Sequence, residues 1–355
     1  MYKKLFIPGP THVRDSVLQA QAAPMIGHRM QEYSDLQERV TTKLKKVLYT
    51  DQHVYLFAAS STGVMEGTIR QASQKKILNT ICGAFSKRWH QITVANGIAC
   101  DKVEVPMGQA TTPDLIDEAL ASGEYDAVTL VLNETSTGIM NPIPEIASMI
   151  REKYPEVLIL VDAVSGMAGA KIEFDAWDLD VCLAGVQKCF ALPAGLTVAA
   201  VSDRARERGK TIPGRGYYFA WDVMDKKYDK HQTPATPAIS LIQALDVQLD
   251  DMLKEGLDAR WARHEAMADV VQDWARKHFA LFGDENYLSK TVTNIENTRG
   301  ISVADLNKQL GERGATISNG YGDLKEKCFR IAHMGDLTVD DVKWVTGLIE
   351  DILEL

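Results

Sequence analysis

The sequence has no long uninterrupted hydrophobic run. Its apolar stretches are too short or too broken to span a bilayer, which argues against an integral membrane protein. Cysteine is sparse. Cys82, Cys100, Cys182, Cys189 and Cys328 are scattered without metal-ligand spacing, and several sit in apolar runs where a thiol packs as a small hydrophobe. No metal site is expected from them, and a reducing compartment is. No basic cluster interleaves with aromatic residues and the formal net charge is -9, so a small molecule is a better partner than nucleic acid. Internal repeats and low-complexity stretches are also missing, which gives no support to a scaffold or a disordered interaction tail. The opening MYKKLFIPGPT reaches Pro8 and Gly9 before any apolar stretch long enough for a signal peptide, and a cytoplasmic location is the expectation.

What is present is an ordinary globular composition, 45% hydrophobic and 25% charged over 355 residues, a length suited to one large domain with a smaller companion. From about residue 60 to 202 apolar runs alternate with amphipathic segments, the pattern of an α/β fold with a mainly parallel, buried sheet. The expected strands are KKILNTIC, DKVEVP, AVTLVL, VLILVDA, DVCLAG and LTVAAVS. Helices are expected at Pro113 to Ser122, with Thr112 as cap, and at Glu145 to Tyr154. Two long amphipathic stretches, Ile239 to Lys254 and Leu257 to His278, read as connecting helices. Beyond them TVTNIEN, Ser302 to Arg313, ATISN, CFRIAH and Val339 to Leu355, with Thr338 as N-cap, read as a small α+β unit.

Two ionisable residues stand where α/β folds place ligands, past the carboxyl ends of strands. VLILVDA ends on Asp162, and DVCLAG leads through Gln187 to Lys188. A pyridoxal cofactor needs this pair: the amine of Lys188 carries it as a Schiff base, and the carboxylate of Asp162 keeps the pyridine nitrogen protonated. A third element, Ser60, Ser61, Thr62 and Gly63, opens a helix. Free backbone N–H groups there, with hydroxyls beside them, suit a phosphate. Read singly, each has a plainer explanation as a loop Asp, a solvent-seeking Lys or an N-cap; together they favour the cofactor.

In order along the chain, PGPT, GHR at Gly27 to Arg29, SSTGVME, GAFSKRW, NETSTGIMNPI, VDAVSG, GVQK, TPATPAISL and CFRIAH resemble the class V aminotransferases of fold type I, particularly the alanine–glyoxylate and serine–pyruvate group. The resemblance runs nearly the whole chain. It implies a PLP-dependent transferase fold with a seven-stranded type of sheet in a large domain at 16–250, and a small domain formed by 1–15 and 251–355. It assigns the cofactor phosphate to Ser60, Ser61, Thr62 and Gln187, ring stacking to Phe85, the neighbourhood of the phenolic oxygen to Thr135, and the substrate to Gly9 and Arg330. Arg330 would take the α-carboxylate, for which a guanidinium is the fitting group. The stretch holding Gln232, Thr233 and Thr236 would reach the neighbouring subunit's cofactor phosphate, so a homodimer with shared active sites is implied.

The implied reaction is ping-pong transamination between a small amino acid, serine or alanine, and a 2-oxo acid, glyoxylate or pyruvate. An anionic donor such as aspartate or phosphoserine would call for a second cation, for which the sequence offers only Arg29 and Arg215. The competing readings are a cysteine desulfurase-like lyase and a non-catalytic partner subunit. Gln187 before the lysine and the retention of Lys188, Asp162 and Arg330 together stand against them.

Overall fold

A computed structural model describes residues 3–355. Seven strands form the larger sheet, ordered His53–Phe57, Thr197–Val201, Val181–Gly185, Leu158–Asp162, Ala127–Val131, Ile77–Ile81 and Cys100–Glu104. The four neighbour pairs from Val181–Gly185 outward to Cys100–Glu104 are parallel, whereas Thr197–Val201 runs antiparallel to both of its neighbours. The inner strands are mostly apolar and buried along their whole length, as helix-covered parallel strands must be. The six strands expected between residues 75 and 202 all form. His53–Phe57 lies outside that alternation and pairs with Thr197–Val201, far along the chain.

A second sheet has the order Lys4–Phe6, Ala315–Asn319, Cys328–Ala332, Val292–Glu296 and Ala280–Leu281. Lys4–Phe6 is its edge strand, parallel to Ala315–Ile317, which ties the chain's start to its end. The helices Val303–Glu312 and Val339–Leu353 pack on this sheet around a core of Phe6, Val271, Ile295, Phe329 and Ile349. Thr338 caps the last helix in a reciprocal capping box with Asp341. Thr112, by contrast, occupies the N-cap position of Pro113–Leu120 without a side-chain bond to the helix.

The helices Ile239–Glu255 and Leu257–His278 connect the two sheets. Residue 250, the expected domain limit, lies inside the first of them, and the core of the larger sheet takes in Met252 and Trp261 beyond it. Arg260, fully buried on the second helix, donates to the carbonyls of Ala168 and Cys189, each at 2.8 Å. Glu255 and Asp336 balance its charge at 3.1 and 3.6 Å. One buried cation thus ties the loops that follow Asp162 and Lys188 to the same helix, at a desolvation cost that only such partners can offset.

Candidate active site

The ends of the parallel strands and the starts of the helices Ser61–Ala72 and Ala84–Ala95 enclose a cavity of about 250 Å³. Its wall contains Gly9, Ser60, Ser61, Thr62, Phe85, Thr135, Asp162, Gln187 and Lys188. All nine were expected from the sequence, and they come from segments that only the fold brings together. Asp162 closes the strand Leu158–Asp162, and Lys188 follows the neighbouring strand Val181–Gly185.

Lys188 is half-buried and its Nζ lies 5.7 Å from the centre of the Phe85 ring, where it donates to the carbonyl of Pro8. Burial lowers its pKa to about 8, with the charges of Arg330 and Arg88 adding to the effect and Asp162 opposing it. Burial likewise pushes Asp162 up to about 7, helped by the like charge of Glu134 and opposed by the Val164 N–H, which donates to its Oδ1 at 2.8 Å. The amine and the carboxyl therefore stand close to neutrality in their protonation, the condition in which protons are readily exchanged.

Gly9 packs against the lysine. Its φ is +112°, and a Cβ there would sit 2.5 Å from Lys188 Cδ and 3.1 Å from Nζ. Gly9→Ala is expected to cost about 1–3 kcal/mol of stability through strain and overpacking. It should also weaken cofactor retention, read as the visible absorbance left after gel filtration; full retention at an unchanged melting temperature would show the contact to be slack.

The geometry suits a bound phosphate and a flat ring. The first N–H groups of helix Ser61–Ala72 have no intrahelical acceptor by construction, and the side chain of Ser60 does not cap them. Among the described residues Ser61 Oγ is buried with no hydrogen-bond partner, as is Asn133 Oδ1 on the same cavity wall. A Cβ on Gly185 would meet the Gln187 amide at 2.5 Å and Ser61 Oγ at 2.6 Å, so the glycine keeps this cradle open. Buried polar groups without partners are costly, and a phosphate would supply the missing one at Ser61.

Phe85 is held by a device that sequence reasoning missed. Glu134, fully buried, accepts from the backbone N–H groups of Phe85 (3.2 Å) and Ser86 (2.9 Å) at the start of helix Ala84–Ala95. It acts as an N-cap supplied from another segment, and a carboxylate there also complements the helix dipole. The hydroxyl of Thr135 bonds that of Ser165, another unforeseen wall residue.

Arg330 lies on the second sheet, in Cys328–Ala332, and reaches across to this wall. Its guanidinium donates to the carbonyls of Thr135 at 3.1 Å and Asn319 at 3.0 and 3.2 Å. Among the described residues it forms no ion pair, and burial lowers its pKa to about 10. A buried guanidinium without a carboxylate is a ready acceptor for an anion.

Gln232, Thr233 and Thr236 do not line this cavity. Gln232 donates to Ser34 Oγ at 3.3 Å, Thr233 donates to the Ala235 carbonyl at 2.7 Å, and Thr236 borders an apolar niche with Tyr217 and Tyr218. Arg29 is spent on the carbonyls of Thr233 and Pro234, and Arg215 on Asp222, so neither serves as a cavity cation. A cation the sequence did not single out, Arg88, does stand at the cavity.

A lysine and a carboxylate at the ends of adjacent parallel strands, with a phosphate cradle and an aromatic ring beside them, define a pyridoxal-phosphate enzyme of α/β fold. The family model for aminotransferase class-V matches residues 13–333, and the chain belongs to that family. It is 37% identical to an uncharacterized aminotransferase of Methanocaldococcus jannaschii, over 94% of this chain and 88% of that one. It is 32% identical to serine–glyoxylate aminotransferase of Methylorubrum extorquens, over 94% of this chain and 86% of that one. The solved structure of an aspartate aminotransferase of Thermus thermophilus superposes with a TM-score of 0.91 at 27% identity, covering 99% of each chain. The protein is a fold type I, pyridoxal-phosphate-dependent aminotransferase.

Proposed function

We propose that the chain transfers an amino group between a small amino acid, serine or alanine, and a 2-oxo acid, glyoxylate or pyruvate, in a ping-pong cycle. The observation that carries this reading is the meeting of Lys188 and Asp162 on one cavity, with Arg330, which has no ion pair among the described residues, bonded to the carbonyl of the wall residue Thr135. Relatives named for serine–glyoxylate transfer support the choice of small substrates.

Pyridoxal phosphate supplies, when bound, a ring that accepts the electron pair left on the substrate α-carbon after proton loss. Ser61 and Thr62, with Gln187, would hold its phosphate, and Phe85 would stack on its ring. Asp162 holds the proton on the ring nitrogen; a cationic partner there draws the carboxyl back toward its ionised form. Lys188 Nζ, its basicity lowered by burial, is the group that takes the α-proton and returns it one carbon away. Arg330 orients the α-carboxylate with two parallel hydrogen bonds, and this sets the Cα–H bond at a fixed angle to the ring. The apposition of Thr233 and Thr236 with the exposed Tyr217 fits a second copy of the chain, whose cofactor phosphate these residues, with Gln232, would reach.

Desulfuration is disfavoured by the same geometry. Cys328 is buried within a paired strand and burial pushes its thiol up to about 11, so it supplies neither thiolate nor mobility. Single amino acids added to the holoenzyme are expected to bleach the visible cofactor band, serine and alanine among them, and the keto acid should restore it. A band indifferent to every amino acid would sink the transaminase reading.

Arg330→Lys tests the anchor. An ammonium cannot reproduce the two-pronged contact, and about 1–3 kcal/mol of substrate binding should be lost with cofactor affinity nearly unchanged. Titrating the half-reaction with alanine and the apoenzyme with pyridoxal phosphate reads both quantities. Loss of cofactor with intact substrate affinity would move Arg330 to a structural role.

A further inference from the structure

Arg88 lies one turn beyond Phe85 on helix Ala84–Ala95 and borders the same cavity. Its guanidinium carbon stands 4.9 Å from the centre of the Phe85 ring, and its one described hydrogen bond is a long one, 3.4 Å to the Tyr321 hydroxyl. Tyr321 in turn packs its ring 5.2 Å from that of Phe85 and 5.7 Å from the guanidinium carbon of Arg330. The two arginines thus flank one tyrosine beside Phe85, and among the described residues neither has an ion pair. Other arginines of the chain, among them Arg14, Arg151, Arg206, Arg208, Arg215 and Arg260, are matched to carboxylates. The nearest acid behind Phe85, Glu134, is consumed by the N–H groups of helix Ala84–Ala95 and by Ser136.

We infer that Arg88 is the recognition group for a second anion on the substrate, so that beside small donors the enzyme accepts an amino acid whose side chain ends in a carboxylate or a phosphate. The inference rests on the transaminase reading above, with Arg330 taking the α-carboxylate. Two guanidinia without ion pairs, Arg88 on the cavity wall and Arg330 bonded to the carbonyl of the wall residue Thr135, offer two charge-assisted anchors, and an acid with two anionic ends satisfies both while a monoacid leaves one without a partner. The charge of Arg88 is felt inside the cavity, since it works to lower the pKa values of both Asp162 and Lys188. Stacking on Phe85 and the weak tyrosine contact leave most of the five guanidinium donors free for a ligand.

The test uses unreactive acids on the holoenzyme by calorimetry: succinate, 3-phosphonopropionate and butyrate, which share a chain length of similar size and differ in the second end. The expected result is that one or both dianions bind at least about tenfold more tightly than butyrate, the tighter of the two identifying carboxylate or phosphate as the natural end. Arg88→Gln should collapse that ratio, and Arg88→Lys should keep part of it. In the half-reaction, the ratio of kcat/KM for aspartate or phosphoserine to that for alanine should fall in parallel. Equal affinity of the three acids in the unaltered enzyme overturns the proposal. So does an equal weakening of all three in Arg88→Gln, which would make the residue a support for Phe85. Dianion preference in an enzyme whose band no amino acid bleaches would uphold the second anion site while removing the transaminase reading.

Discussion

Lys188→Ala is expected to abolish transamination while leaving the fold intact. Among the described residues no other lysine or histidine lines the cavity, so both the covalent attachment and the proton transfer lose their group. Positioned acid–base groups contribute roughly 10²–10⁴-fold, and removal of attachment as well should place the loss at or beyond the upper end. The side chain lies in the cavity and not in the core, so the melting temperature of the cofactor-free variant should stay near that of the cofactor-free parent. Borohydride reduction and peptide mapping of the parent should label Lys188 alone. Label on a different lysine would transfer the role elsewhere.

Asp162→Asn should move activity and stability in opposite directions. Turnover should fall by orders of magnitude, because a neutral amide cannot keep the ring nitrogen protonated. Stability of the cofactor-free form should rise at alkaline pH. The carboxyl is pushed up to about 7 in the fold, above its ordinary value near 4, so its contribution is fully present below pH 4 and is lost as pH rises through 7. Asparagine removes that loss and can still accept the Val164 N–H, which gives a gain of roughly 2–4 kcal/mol at pH 8. Melting curves of both apo forms at pH 5 and pH 8 read the effect: the gap between them should widen with pH. A constant gap would mean that Asp162 is already ionised in the empty site.

The sequence disclosed the chemistry more fully than the architecture. Asp162 and Lys188 were legible because each ends an apolar run, and strand ends in a parallel sheet converge on one crevice. His53–Phe57 escaped because its partner Thr197–Val201 is remote and antiparallel, a relation that no local alternation carries. Lys4–Phe6 escaped for the same reason, being too short to announce itself without Ala315–Ile317. Glu134 lay inside a segment singled out for its hydroxyls, yet its bond to the helix of Phe85 crosses between elements and leaves no spacing to read. Arg88 was the residue most open to detection. It sits three positions after Phe85, and on a helix that spacing shares a face.

Gly9 and Lys188 share one wall and Arg330 bonds the Thr135 carbonyl on it, although the three come from the beginning, middle and end of the chain. During synthesis the phosphate cradle, Asp162, Lys188 and the last strand of the larger sheet, Thr197–Val201, are all complete before the strand of Arg330 is translated. The residues of the cofactor's seat are therefore all translated while the chain still has no anchor for the substrate. A cofactor that binds the native arrangement and not the unfolded one would at that stage favour the larger sheet by mass action.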